Sequence, residues 1–226
     1  MTYCLVPMTV GQTQQILGKN FVARFQQEMD AVLHPLQKYL DQGRPLSLGK
    51  ELWEYAVADS IEGAEWCGAG KSIIDVQVGA DIGFDVKSVQ MGSRSTTEAS
   101  MYQYLQVERV AEYFQNQDRQ ALWQMFVDGW LAKARSIKHY YLLVIFRNKD
   151  TLECSIAGFQ VQDVPVNYLA ESCKFNRESM QITSIADPAL VDIKIYKGKT
   201  RMELRIKHTV FTDSKYCLPI YRRCND

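Results

Sequence analysis

The stretch Ser72-Ile73-Ile74-Asp75-Val76-Gln77-Val78-Gly79-Ala80-Asp81-Ile82-Gly83-Phe84-Asp85-Val86-Lys87-Ser88-Val89 contains two short runs, apolar or alternating, on either side of a five-residue connection rich in glycine. The runs Ser72–Val78 and Phe84–Val89, joined by Gly79–Gly83, predict a β-hairpin. Three charged residues interrupt its strands: Asp75 in the first, Asp85 and Lys87 in the second. Because side chains alternate along a strand, Asp85 and Lys87 fall on one face. A charge inside a buried strand is costly unless it is paired or bound to a metal. That cost sets these three positions above the other charges of the chain.

Outward from the hairpin, the apolar spacing predicts helix over residues 12–41, with Pro35 bending or dividing it. Pro45 marks a loop, and Ser47 is placed to cap a second helix at about 48–62. A glycine-rich turn, Cys67-Gly68-Ala69-Gly70, follows. Beyond the hairpin, Met91–Thr97 is a small, polar loop leading into a long helical region from about 98 to 136, with a break at Asn116–Asp118. Tyr140–Phe146 (YYLLVIF) suits a strand buried on both faces, and a helix linking it to the hairpin is the crossover expected of a parallel pair. Leu152–Val161, Val191–Tyr196 and Met202–Lys207 read as further strands, with a short helix at 166–172 and a turn at Lys197–Thr200. The expectation is a single α/β domain over 1–226, its central mixed β-sheet flanked by helices. It divides into N-terminal helices at 12–41, a core at about 48–161 and a basic β-rich part at 182–226.

Of the 226 residues, 46% are hydrophobic and 11% aromatic, enough for a packed core and too many for a disordered chain. No run approaches the ~18 apolar residues of a membrane span. The opening MTYCLVPMTVGQ lacks the basic flank and apolar stretch of a signal peptide, so a cytoplasmic protein is expected. The six cysteines form no CxxC pair and no zinc-ligand spacing with histidine, and are expected as buried or incidental thiols. Net charge is zero, but residues 194–226 carry nine Lys or Arg against three acidic residues. A neutral total can thus hide a basic surface for a polyanion, or simply a solvated charged ribbon.

Cleaving a phosphodiester requires an activated water and neutralisation of charge on the phosphate and the leaving oxygen. One or two Mg²⁺ ions held by carboxylates and a carbonyl provide both, and a nearby lysine can orient the water. The pattern D-x9-D-x-K on a hairpin, preceded by a helix and followed by helix and buried strand, resembles the PD-(D/E)xK nuclease superfamily. Its layout over residues 48–147 is most similar to type II restriction endonucleases. The helix start Gly49-Lys50-Glu51-Leu52-Trp53-Glu54 is similar to one that carries an acidic site residue in some members, with Glu54 the better match and Glu51 the alternative. Two departures stand out: Ile74 in place of proline before Asp75, and Asp85 in place of the commoner glutamate.

The resemblance implies a restriction-endonuclease-like core and Mg²⁺-dependent cleavage of double-stranded DNA by a homodimer. It implies Asp75 as principal metal ligand, Asp85 as second, the Val86 carbonyl completing the inner shell, Lys87 holding the water, and Glu54 at an outer or second-metal position. Gln90, Ser93, Arg94 and Thr96, in or beside the loop after Lys87, have donors for DNA, unless that loop only caps the next helix. The ribbon residues Lys194, Lys197, Lys199, Arg201 and Arg205 form a second candidate surface. The same chemistry could serve a repair or recombination nuclease that reads DNA shape, and a non-catalytic DNA-binding protein is the alternative of a different class. The helical regions 12–41 and 98–136 are candidates for a dimer interface.

Three other patterns lead elsewhere. Gly70-Lys71-Ser72 is like the end of a phosphate-binding P-loop, but Glu65 stands where glycine is required and the segment opens a strand, so no nucleotide cofactor is expected. His34, His139 and His208 lie in unrelated contexts and suggest no hydrolase triad. The aromatic residues of Met101–Trp130 are read as core or interface rather than as a stacking surface.

Overall fold

A computed structural model describes residues 2–40, 42, 48–68, 74–90, 96–102, 107–148, 153–164, 173–183, 190–197 and 201–222. Its elements in the first half are β1 (Thr2–Pro7), α1 (Val10–Leu17), α2 (Phe21–Leu33), α3 (Gln37–Leu40), α4 (Lys50–Ser60), β2 (Ala64–Trp66), β3 (Val76–Val78), β4 (Ile82–Gln90) and β5 (Thr96–Tyr102). Then come α5 (Val107–Gln115), α6 (Arg119–Arg135), β6 (His139–Arg147), β7 (Cys154–Val164), β8 (Cys173–Phe175), β9 (Ser179–Thr183), β10 (Val191–Tyr196), β11 (Arg201–Lys207), α7 (Thr209–Thr212) and β12 (Leu218–Tyr221).

The apolar run at 140–146 lies at the centre of the first sheet. Leu142, Leu143, Val144 and Ile145 in β6 are fully buried, as expected of a strand covered on both faces. The order of this mixed sheet is β1-β7-β6-β4-β3-β2, with β12 sharing the β7 edge. β4 and β6 pair in parallel, with Asp85 beside Leu142 and Lys87 beside Val144. The intervening chain with α5 and α6 forms the crossover that a parallel pair requires. β3 and β4 form the expected hairpin, and β2 adds to its outer edge.

One face of this sheet carries Phe84, Val86, Leu143, Ile145 and Ile156 against α2 and α4. Phe21, Phe25, Met29 and Leu33 of α2 are buried at four-residue spacing, which presents a single apolar stripe. Thr9 and Gln12 close a capping box on α1, and Gly18, at φ +88, ends that helix where a side chain would be strained. Near Pro35 the helix tightens into a 3-10 turn at His34–Leu36 before α3, so the proline divides the stretch as its ring predicts.

The opposite face carries Tyr140, Leu142, Val144, Phe146, Ala157 and Phe159. These pack in one cluster with Val110 and Phe114 of α5, Leu122 and Trp123 of α6, and Ile193, Ile195, Leu204 and Ile206 of a second sheet. The second sheet is antiparallel throughout, in the order β5-β11-β10-β9-β8. The protein is thus α/β, with a mixed central sheet flanked by helices and a β-layer added on one side.

Several expectations change. Residues 96–102 form an edge strand paired with β11, so this part of the expected helical region is strand, and the described helix after it is Val107–Gln115. Ser47 lies outside the described residues, and Gly49 is the residue that precedes the first turn of α4. β1, β2, β8, β9 and β12 were not foreseen, nor was α7. The short helix expected at 166–172 and the turn residues 198–200 lie outside the described residues. Among the described residues no helix is long and apolar enough to cross a membrane. Cys154 and Cys217 are buried thiols, pushed up by burial to about 12 and about 11, which makes them poor nucleophiles.

Candidate active site

The β4 backbone fixes the site. Phe84 and Val86 point into the core beneath α2 and α4, so alternation turns Asp85 and Lys87 to the other face, beside Leu142 and Val144 of β6. Asp75 sits one residue before β3 rather than inside a strand, and two backbone hydrogen bonds hold it. Its N–H donates to the Phe84 carbonyl at 3.0 Å, and its carbonyl accepts from the Cys67 N–H at 3.0 Å. Ile74, next to it, packs against Gly83, where a Cβ would lie only 2.7 Å from the Ile74 Cδ1. A glycine at that position permits the hairpin to close this tightly.

The three charged groups meet. Asp75 Oδ2 accepts from the Val86 N–H at 2.7 Å and from Lys87 Nζ at 3.2 Å. Lys87 Nζ also donates to Asp85 Oδ1 and lies 3.2 Å from the Val86 carbonyl oxygen. One ammonium therefore gathers three oxygens: two carboxylates and a main-chain carbonyl. Asp85 is completely buried, whereas the Asp75 and Lys87 side chains each keep 20% of their surface, so the group opens to solvent on one side. On the closed side, Tyr140 of β6 donates its hydroxyl to Asp85 Oδ2 at 3.0 Å.

Burial, and then the neighbouring Asp85 charge, push the Asp75 carboxyl up to about 7, against Lys87, which pulls it down. For Lys87, burial lowers the pKa, but the attraction of Asp85 and Asp75 outweighs it and holds the ammonium above the usual lysine value. Burial, with Asp85 behind it, raises Tyr140 well above its ordinary value, so its hydroxyl keeps its proton and donates. Two carboxylates thus share one cation, with an excess of negative charge that burial makes expensive.

Glu54 is buried on α4, but its oxygens have other neighbours. Oε2 accepts from Trp66 Nε1 at 3.2 Å, and Oε1 lies 3.3 Å from the Lys50 ammonium. Its negative charge contributes to raising Asp75. Glu51 is half-buried, and its carboxylate lies back beside Gly49 at the start of the helix. Of the two, Glu54 is the one electrostatically coupled to the hairpin. Among the described residues no three His, Cys, Asp or Glu side chains are grouped to hold a metal ion. The oxygens that meet at Lys87 are two carboxylates and a carbonyl, with Glu54 outside that set.

The DNA-contact candidates are dispersed. Gln90 is exposed at the end of β4 and Lys197 in the turn that follows β10. Thr96 begins β5 and Arg201 begins β11, while Ser93, Arg94 and Lys199 lie outside the described residues. In the basic ribbon, Lys194 lies over the Tyr196 ring and Arg205 donates to Gln181 at 3.5 Å, so part of its charge is engaged within the sheet. Tyr140 and Trp66 escaped the sequence reading. Tyr140 was visible as a polar-tipped residue in an apolar strand, but only the β4–β6 register reveals its partner.

Comparison with protein-family models, curated proteins and solved structures finds no match to this chain.

Proposed function

We propose that this protein is a metal-dependent deoxyribonuclease of the PD-(D/E)xK type, with a restriction-endonuclease-like core around Asp75, Asp85 and Lys87. The convergence of Asp75 Oδ2, Asp85 Oδ1 and the Val86 carbonyl on one cationic nitrogen carries the reading. These are hard oxygen donors of the kind that hold Mg²⁺, arranged around a point already occupied by positive charge. When bound there, Mg²⁺ supplies neutralisation of the phosphate charge and activation of water. Asp75 and Asp85 would hold it with the Val86 carbonyl, and Tyr140 would keep Asp85 turned so that Oδ1 faces the site. Lys87, displaced from the carboxylates but still protonated, would donate hydrogen bonds to the attacking water or the phosphate oxygens. Glu54 adds negative field from α4, without being among the oxygens that meet at Lys87.

The reading extends to double-stranded DNA as substrate, to sequence-specific cutting and to a homodimer, for which two-fold symmetry suits cleavage of both strands. Incubating purified protein with long duplex DNA in Mg²⁺ or EDTA tests it. Discrete fragments in Mg²⁺ alone are the expected result. A smear or structure-dependent nicking would point to a nuclease reading DNA shape. Shifted but uncut DNA would remove catalysis and leave a binding protein.

A further inference from the structure

Away from the hairpin, the turn before α6 and the turn between β8 and β9 face each other across a cleft of about 470 Å³. Arg119, Arg177 and Lys197 all line it, with Glu178 the acidic side chain in its wall. All three cations are exposed, and none forms an ion pair with a carboxylate among the described residues. Asp118, at the same turn, directs its carboxylate to the Ala121 N–H at 2.9 Å and so caps α6.

Of the three cations, Arg119 is held by a ring contact, and Lys197 by its backbone. Arg119 lies over the Phe175 ring, 5.3 Å from its centroid, and Phe175 stacks in turn on Phe114. The Lys197 N–H is tied to the Glu178 carbonyl at 2.9 Å, and Asn176 Oδ1 accepts from the Glu178 and Ser179 N–H groups. Gln117, at the rim, has φ +54, a conformation that non-glycine residues seldom adopt. Hydrogen bonds tie the turns, and together they bring three cationic side chains to one concavity that holds, among the described residues, a single carboxylate, Glu178. The cleft belongs to the layer of the second sheet and α5–α6, which covers the face of the central sheet that bears Asp85 and Lys87.

We propose that this cleft binds the phosphodiester backbone of duplex DNA at a distance from the cutting site. The proposal rests on the nuclease reading and names a contact that fixes the position of the duplex without reading its bases. Its cations would act by displacing counterions from the backbone, so binding through them must weaken as salt rises.

The test is equilibrium binding of a fluorescently labelled duplex in EDTA, across a salt series, to wild type and to the double variant Arg119→Gln, Lys197→Gln. A control double variant, Lys19→Gln with Lys38→Gln, removes the same charge from exposed positions on the N-terminal helical side. The cleft variant should bind at least roughly tenfold more weakly, with a log–log salt slope shallower by about two, while the control changes little. Unchanged thermal midpoints will show that the fold is retained. Wild-type binding with equal losses in both variants, or with none in the cleft variant, overturns the cleft and leaves the nuclease reading intact. Competition by inorganic pyrophosphate that is equal in wild type and the cleft variant also counts against the cleft. Absence of duplex binding by wild type in EDTA overturns the cleft, while the cleavage assay in Mg²⁺ decides the nuclease reading separately.

Discussion

Asp75 is the residue at which charge, burial and function compete most directly. Its carboxyl stands near 7 in the metal-free protein because burial and Asp85 both oppose its ionisation. The unfolded chain releases this proton near 3.8. Between those values the folded form holds a proton that the unfolded form has lost, so this group's contribution to stability falls as pH rises from about 4 through 7. A metal ion requires the carboxylate, and its binding should strengthen over the upper part of the same window. The expected result is a metal-free melting temperature that declines between about pH 4 and 7, with a Mg²⁺-induced rise in that temperature that grows over the upper part of that range. Tyr140 offers a second test at this scale. Tyr140→Phe leaves Asp85 Oδ2 without its buried donor, a loss of about 1–3 kcal/mol. The Mg²⁺ concentration giving half-maximal cleavage should rise roughly tenfold or more, and the thermal midpoint should fall by roughly 2–4 °C per kcal/mol lost, with or without Mg²⁺. Asp75, Asp85 and Lys87 were legible because charges interrupt apolar strands. Tyr140 was not, since its partner lies 55 residues away and only strand register joins them.

At the scale of elements, the hairpin depends on how closely Ile74 approaches Gly83. A methyl at Gly83 would meet the buried side chains of Ile74 and Ile137, at 2.7 and 3.0 Å. Gly83→Ala should cost about 1–3 kcal/mol by overpacking and should lower activity by shifting the segment that carries Asp75. Denaturant midpoints and cleavage rates check both effects; an unchanged midpoint would show that the neighbours yield freely. β5 shows why local signals fail elsewhere. Thr96–Tyr102 contains Glu98, Ala99 and Met101, which favour helix, yet its pairing with β11 makes it a strand. β1 was hidden for the same reason, because its partner β7 lies more than 150 residues further along the chain. Those pairings are long-range, whereas α2 and β6 carry their evidence in their own periodicity.

Over the whole molecule, two apolar clusters divide the work of folding. One joins the N-terminal helices to the central sheet, and the other joins that sheet to α5, α6 and the second sheet. The catalytic candidates lie on the face turned toward the second cluster, so the β-layer lies on the side of the central sheet that would meet a substrate. The net charge of +6 over residues 194–226 was compatible with a basic surface for a polyanion or with a solvated charged ribbon. The sequence could not show that Arg119 and Arg177, from outside that segment, meet Lys197 in one cleft. The α/β class and the parallel β4–β6 pair were readable from element order, while the two-sheet layering was not.

The most direct test compares cleavage of duplex DNA in Mg²⁺ by wild type with cleavage by Asp75→Ala and Lys87→Ala. Both variants should be folded by circular dichroism and should lose activity by roughly a hundredfold to a thousandfold or more. Wild-type rates in either folded variant would contradict the assignment of the site.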